Sequence, residues 1–256
     1  MNTHTISFIP RHSEVDPEAR LKIRPVFDYL QEAAAQHADL LGCGMRFLQT
    51  SRKIWVLSRM QLRILRPMLL GEPLTLETYP RGFDKLFALR PLVIRDKEGL
   101  NVVEAMSAWL LLDVDKMRIL RPAENLNCPL PDNNALPAFF ATPEKPAMPN
   151  DLPTDPIFSA TIADAQIDLN RHLNNAEYAF YTHNALAKLL GHAPQIQEIT
   201  VNYAKATKLD ETIYWFAKIN PDATFFVDAR GATGDERFQA AGTLFDFPKI
   251  KLAFFH

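Results

Sequence analysis

One order of elements occurs twice in this chain of 256 residues, and that repetition limits its fold more than any other feature. A β-like segment at Thr5–Ile9 precedes a helical pattern from Val26 to Leu41, in which Phe27, Leu30, Ala34, Ala38 and Leu41 recur at three- and four-residue steps. Gly42 ends the pattern. Strand-like segments follow near 55–65, 74–79, 86–95 and 102–113, broken by Gly71, Gly82 and Gly99. The order then returns, with a strand at Ile157–Ile162, a helix at Asn174–Leu190 stopped by Gly191, and strands near 197–205, 212–219, 223–230 and 237–247. A shift of 149 sets Gly42 on Gly191 and Tyr29 on Tyr178, and a shift of 139 sets Leu62-Arg63-Ile64 on Val201-Asn202-Tyr203 and Glu72 on Glu211. A shift of 135 sets Gly99 on Gly234 and Ala105 on Ala240.

Between the copies, nine of the 19 prolines fall in the 35 residues from Pro122 to Pro156, a stretch without glycine that suits an extended, semi-rigid linker. The expected division is therefore an N-terminal unit at 1–121, the linker at 122–156 and a C-terminal unit at 157–256. A helix with apolar and small residues around much of its girth needs cover on more than one side, which a long antiparallel sheet curling around it provides. That is the hot-dog arrangement. Such units pair side by side because an unpaired edge strand is a liability, and two tandem copies satisfy the need within one chain. The expected fold class is α+β: a tandem hot-dog, two antiparallel sheets each wrapping a central helix and joined into one continuous sheet. Intrachain pairing does not forbid a homodimer.

Composition narrows the function. Twenty-eight basic against 30 acidic residues give a formal net charge of −2, without the basic excess that neutralises nucleic-acid phosphates. The apolar stretch Ala105–Leu112 is far shorter than the 18 or more residues of a membrane span, and MNTHTISFIPRH has no signal-like apolar region. A cytoplasmic protein without membrane insertion is expected, with Cys43 and Cys128 as reduced structural cysteines. No HExxH, paired-His or Cys/His spacing suggests a metal, and no GxGxxG or GxxxxGK[ST] suggests a nucleotide cofactor.

The densest cluster of titratable and amide side chains runs from Asp168 to Tyr178, immediately before and into the second helix. Helix capping accounts for Asn174 or Asn175. It leaves the alternation Asp168, Asn170, His172, whose side chains would project to one side of an extended segment and converge on one pocket. Carried back by 149, these positions fall on Ala19, Leu21 and Ile23, so a single reactive site in the second copy is expected.

Asp-x-Asn-x-His-Leu-Asn-Asn-x-x-Tyr, from Asp168 to Tyr178, resembles the signature of hot-dog thioesterases, and more closely that of the acyl-acyl-carrier-protein thioesterases of bacteria and plant plastids. The first half looks similar to that family at Ile54–Arg59, at Arg66-Pro67 with Gly71-Glu72, and at Glu104–Trp109. The resemblance implies hydrolysis of the thioester joining a fatty acyl chain to the phosphopantetheine arm of acyl carrier protein, with release of free fatty acid. It implies that Asn170 helps bind the oxyanion while Asp168 and His172 organise and activate the attack, Asp168 as orienter, base or nucleophile. An apolar tunnel for the acyl chain is expected with it. Hydrolysis of coenzyme A esters, or a non-catalytic acyl-binding or carrier-interaction module, are the alternatives.

One departure stands out. The plant members carry a glutamate and often a cysteine on the strand after the second helix, where the register places Ala206 and Thr207. Glu198, Asp210 and Glu211 are the nearest acids, and none matches the motif. Arg171, Lys205 and Lys208 lie near the expected site and could meet an acidic carrier surface. His37 and His183 fall within helical patterns, and Trp55, Trp109 and Trp215 within strands, as packing residues.

Overall fold

The computed structural model describes residues 2–126, 128 and 130–245, and for residues 46–48 the backbone alone. The first half runs β1 (His4–Phe8), α1 (Ile23–Leu40), α2 (Met45–Thr50), β2 (Lys53–Ile64), β3 (Leu74–Thr78), β4 (Phe83–Asp84), β5 (Phe87–Arg95), β6 (Asn101–Asp113), β7 (Arg118–Leu120) and α3 (Pro122–Asn125). The second runs β8 (Phe158–Thr161), α4 (Asn175–Leu190), β9 (Ile196–Tyr203), β10 (Thr212–Ile219), β11 (Thr224–Gly231) and β12 (Glu236–Leu244). Residues 246–247 of the last expected strand lie outside the described residues. The elements that the sequence pattern missed, α2, β4, β7 and α3, are two to six residues long, too short to show a period.

All strands join one antiparallel sheet in the order β1-β3-β5-β6-β2-β9-β12-β11-β10-β8, with β4 on β5 and β7 on β6. Read outward from the centre, β2, β6, β5, β3, β1 on one side match β9, β12, β11, β10, β8 on the other. This is a tandem hot-dog. The halves meet where β2 and β9, each otherwise an edge, pair from Arg59↔Asn202 to Arg63↔Glu198. Met60, Leu62, Ile199 and Val201 alternate inward there and are fully buried. On the outer face Gln61 Nε2 donates to Glu198 Oε1 at 2.8 Å.

Each half wraps one long helix. α1 buries Ile23, Val26, Phe27, Leu30, Ala33, Ala34 and His37, a stripe of helical period. α4 buries residues around more of its girth, including Ala176, Tyr178, Ala179, Tyr181, Thr182 and Leu186. Beneath it lies an aromatic layer: Trp215 is stacked on Tyr181 with centroids 5.0 Å apart, and Phe238 on Tyr178 at 5.1 Å. The helices are antiparallel. Asn175 at the start of α4 bonds Gln31 at the middle of α1, while Ile23 at the start of α1 lines one cavity with His183 at the middle of α4. Both helices stop at a glycine in the left-handed region, Gly42 at φ 70° and Gly191 at φ 72°, a conformation an L side chain strains to adopt.

The hydrogen bonds fix the register between the copies. Shifts of 139 and 135 hold: Leu69 N–H donates to Glu72 as Lys208 N–H does to Glu211, and Gly99 closes its turn on Asp96 as Gly234 does on Gly231. The shift of 149 does not hold before the helices. There Leu21 N–H donates to the Met68 carbonyl and Leu173 N–H to the Thr207 carbonyl, both at 2.8 Å, which sets the offset at 152 and pairs Tyr29 with Tyr181 rather than Tyr178. α1 has 18 residues and α4 has 16, so matching their terminal glycines misplaces their starts.

Among the described residues, 126–157 hold neither helix nor strand. This stretch is pinned to both halves: Asn133 Nδ2 donates to the Pro80 carbonyl at 3.0 Å, the Pro143 carbonyl accepts from Arg59, and Asp151 pairs with Lys218 on β10. Its beginning folds back onto the end of α1, which brings the Cα atoms of Cys43 and Cys128 to 5.8 Å and joins them in a disulfide. The expectation of two reduced cysteines is corrected here. A separation of 85 residues leaves no local spacing signature to read. No helix among the described residues is long and apolar enough to cross a membrane.

Candidate active site

Asp168, Asn170 and His172 lie in a tight loop immediately before α4, not on an extended strand. An antiparallel bridge between Ile167 and Leu173 closes the loop, and Arg171 turns it with φ at 61°. Asp168 N–H donates to the His172 carbonyl at 2.8 Å, and Arg171 N–H to the Asp168 carbonyl at 2.9 Å. The Asp168 carboxylate organises the inside of the loop. Its Oδ1 accepts from the backbone N–H of Asn170 at 2.8 Å and of His172 at 3.3 Å, and its Oδ2 lies 3.5 Å from Asn170 Nδ2. Asp168 thus reaches His172 through the backbone and not through the ring. Asn170 is exposed and the other two are half-buried.

Two further contacts hold the loop against the body. Leu173 is buried beneath it, and Asn174 caps α4 by accepting the Ala176 N–H at 2.8 Å. The three groups therefore stand before the N-terminal end of a 16-residue helix, where the backbone dipoles favour developing negative charge.

The same loop exists in the first half, and it corrects the expected equivalence. At the offset of 152 the counterparts of Asp168, Asn170 and His172 are Asp16, Glu18 and Arg20, not Ala19, Leu21 and Ile23. Asp16 Oδ1 accepts from the N–H groups of Glu18 at 3.0 Å and Arg20 at 2.9 Å, and Ala19 turns the chain with φ at 61°. The first copy is thus not bare of polar groups. Its charges are spent on one another: Arg20 pairs with Asp16 and with Glu18, each at 2.9 Å, and Gln195 takes the remaining acceptor of Asp16 at 3.2 Å. Only the second loop offers an amide and an imidazole without an ionic partner.

Ala206 and Thr207 lie in the turn after β9, not on the strand. Ala206 is exposed, and its carbonyl accepts from Arg237 at 2.8 Å. Thr207 is buried with Oγ1 accepting from Tyr178 Oη at 2.9 Å, and burial pushes that phenol up to about 12. Among the neighbouring acids, Glu198 is bound to Gln61 and Arg63 at the sheet junction, Glu211 to Arg237 and the Lys208 N–H, and Asp210 sits exposed at φ 65°. Arg171 and Lys208 are exposed and make no ion pair among the described residues, whereas Lys205 pairs with Asp235 at 2.8 Å. The hydrogen bonds from Lys205 and Thr233 hold the Asp235 carboxyl well below the usual range.

Neither of two concavities among the described residues reaches the triplet. A cavity of about 30 Å³ lies beside the first-half loop, lined by Asp16, Lys22, Ile23, Met68, His183 and Gln195. A broad groove of about 730 Å³ runs between β1 and α1 past Phe8, Tyr29 and Gln36. The expected tunnel is not at either place, and rings fill the layer under α4. Among the described residues no three His, Cys, Asp or Glu side chains converge as metal ligands would.

The N-terminal domain of acyl-ACP thioesterases matches residues 1–129, and their C-terminal domain matches 158–242, the stretch that contains the loop. The chain belongs to the acyl-ACP thioesterase family. It is 24% identical over 226 residues to the chloroplastic oleoyl-acyl carrier protein thioesterase of Coriandrum sativum, an alignment spanning 80% of this chain and 60% of that relative. Solved thioesterases share its fold. An acyl-ACP thioesterase from Bacteroides thetaiotaomicron superposes with a TM-score of 0.81 at 20% identity, covering 95% of this chain and 98% of that one. The 12:0-ACP thioesterase from Umbellularia californica gives 0.77 at 18% identity, covering 95% and 97%.

Proposed function

We propose that this acyl-ACP thioesterase family member hydrolyses fatty acyl thioesters carried on acyl carrier protein, through one site per chain built by the second half. The observation that carries this reading is the inequality of the two pre-helix loops. Both are shaped by an aspartate, and only the second presents an amide and an imidazole free of ion pairs.

Each group has a task. Asn170 Nδ2 donates to the oxyanion that develops on the thioester carbonyl, an interaction commonly worth on the order of 10² to 10³ in rate. His172 takes a proton from the attacking water and returns it to the departing thiolate, worth roughly 10² to 10⁴. The carbon–sulfur bond breaks, leaving a free fatty acid and the carrier's thiol. Water is the nucleophile in this reading, since Ala206 and the buried Thr207 offer no reactive thiolate or carboxylate. The acyl chain would enter the helix–sheet layer, whose aromatic side chains must then move aside. Each methylene buried there contributes about 0.8 kcal/mol, so the depth opened would set chain-length preference.

The partner in this reading is acyl carrier protein, met by the unpaired Arg171 and Lys208, in the cytoplasm and in the service of fatty acid synthesis. The deciding experiment measures hydrolysis of one acyl group on acyl carrier protein and on coenzyme A, across a series of chain lengths. Higher kcat/KM on the protein carrier supports the proposal. Preference for the CoA ester replaces it with an acyl-CoA thioesterase, and absence of turnover on both reduces the chain to an acyl-binding or carrier-interaction module.

A further inference from the structure

We infer that Asp168 is a positioning residue, not the base or nucleophile of the reaction, and that Asn170 and His172 carry the chemistry without a catalytic carboxylate. The inference rests on the thioesterase reading. Its argument comes from the repeat, which supplies an internal control.

Asp16 occupies the same place in a loop that has no amide and no imidazole, and it makes the same contacts. Both aspartates accept two backbone N–H groups on Oδ1, from the residues two and four positions on, and both close the loop by donating N–H to the carbonyl four positions on. A side chain kept in the same geometry in both halves serves what the halves share, which is the path of the chain before the helix. This is an Asx-type turn with the side chain standing in for a backbone acceptor.

What differs is the second oxygen. In the first half Oδ2 is saturated by Arg20 and Gln195. In the second it lies 3.5 Å from Asn170 Nδ2, and no hydrogen bond links Asp168 to the His172 ring. Asp168 therefore holds the peptide units of Asn170 and His172 and inclines the Asn170 amide. Oδ1 is committed to two backbone donors and Oδ2 to the Asn170 amide, so both oxygens serve the loop. Glu211 is tied to Arg237, and proton transfer falls to His172.

The test separates charge from shape. In Asp168→Asn the amide oxygen still accepts both backbone N–H groups while the negative charge is gone; in Asp168→Ala both are gone. With acyl-ACP substrate, Asp168→Asn is expected to keep kcat within about tenfold of the parent with the midpoints of its pH profile unmoved. Asp168→Ala is expected to lose at least about 100-fold. Amide exchange at Asn170 and His172, read in the full chain without substrate, should stay slow in Asp168→Asn and become fast in Asp168→Ala. Asp16→Asn serves as the first-half control for any general loss of stability. If Asp168→Asn loses as much kcat as Asp168→Ala while its two amides stay protected, or if its acid limb disappears, the carboxylate is chemical and the inference is overturned. Failure of the parent to hydrolyse any thioester defeats the functional proposal, and the exchange measurement still decides whether Asp168 shapes the loop.

Discussion

Arg24 on α1 donates through Nε to Oε1 of Glu177 on α4 at 2.7 Å, so the two central helices are tied by a charge pair as well as by apolar packing. Glu177 is 7% exposed, and its other oxygen accepts from Gln166 Nε2 at 3.0 Å. The glutamate is thus nearly out of water while the arginine is half in it. Removing Arg24 leaves a buried carboxylate with one neutral partner. Arg24→Ala is expected to destabilise by about 1–2 kcal/mol, below the 3–5 of a wholly buried pair because of solvent screening at the arginine. Glu177→Gln in the Arg24→Ala background should restore part of that loss. Urea denaturation of the two variants checks it, and equal stability of Arg24→Ala and the parent would refute it.

Asn170→Ala and His172→Ala are expected to lower kcat by at least about tenfold each without unfolding the chain, since the amide is exposed and the ring makes no hydrogen bond among the described residues. The first-half counterpart behaves oppositely. Arg20→Ala breaks two ion pairs and should move the unfolding midpoint while leaving kcat alone. Steady-state turnover beside thermal melts separates these outcomes, and full turnover in His172→Ala would remove its assigned role.

Much of this molecule was legible in its sequence because two periods and a set of terminators were strong. Helical spacing at Phe27, Leu30 and Ala34, the alternation through Met60, Leu62 and Ile64, and Gly42, Gly99, Gly191 and Gly234 place the long elements within a few residues of where they lie. What escaped depended on contacts between distant residues. The start of α1 was displaced because its lower boundary is set by hydrogen bonds from Leu21 to Met68 and from Lys22 to Glu14, neither of which has a local signature. The same error concealed Asp16, whose role shows only when the Val15–Leu21 bridge is seen beside Ile167–Leu173. Cys43 and Cys128 read as unrelated until the strap after α3 folded back. The signal available for Asp16 was the recurrence of aspartate five residues before a leucine, at Leu21 and again at Leu173, which a local comparison of the two helix starts would have found.

Arg171 and Lys208 flank the loop as exposed cations, where the first half has Ala19 and Leu69. Charge at this place steers an acidic protein carrier more than a nucleotide-bearing thiol. Arg171→Glu and Lys208→Glu are expected to raise KM for acyl-ACP by about threefold or more at low salt, to raise it less for the matching CoA ester, and to lose the difference as salt is added. Equal shifts on both carriers would mean that these side chains serve the site and not the docking.

The Cys43–Cys128 bridge closes a separation of 85 residues, for which loop-closure entropy alone gives about 4–5 kcal/mol of stabilisation in the oxidised chain. Melting the oxidised protein with and without dithiothreitol should show a lower midpoint on reduction, and Cys43→Ser should match the reduced parent under both conditions. Turnover should not change, because the bridge ties the strap to α1 in the first half and the reacting groups lie in the second. A reduced protein as stable as the oxidised one would show that the strap is held by its polar contacts alone.

His183 gives the fold a pH dependence whose sign can be worked out. Burial, and then the nearby Lys22 ammonium, pull the imidazole below its ordinary value of 6.5, with Asp16 opposing. The folded state therefore favours the neutral ring, and the unfolded chain takes up the proton first as pH falls. The stability His183 contributes is complete above about 6.5, is lost as pH drops from there toward the folded value, and changes no further below it. His183→Gln keeps a polar side chain in the cavity beside Lys22 and Gln195 but cannot titrate. Denaturation midpoints measured from pH 7.5 to 5 should fall less steeply in the variant than in the parent below about 6.5. Parallel curves would assign the acid sensitivity to another group.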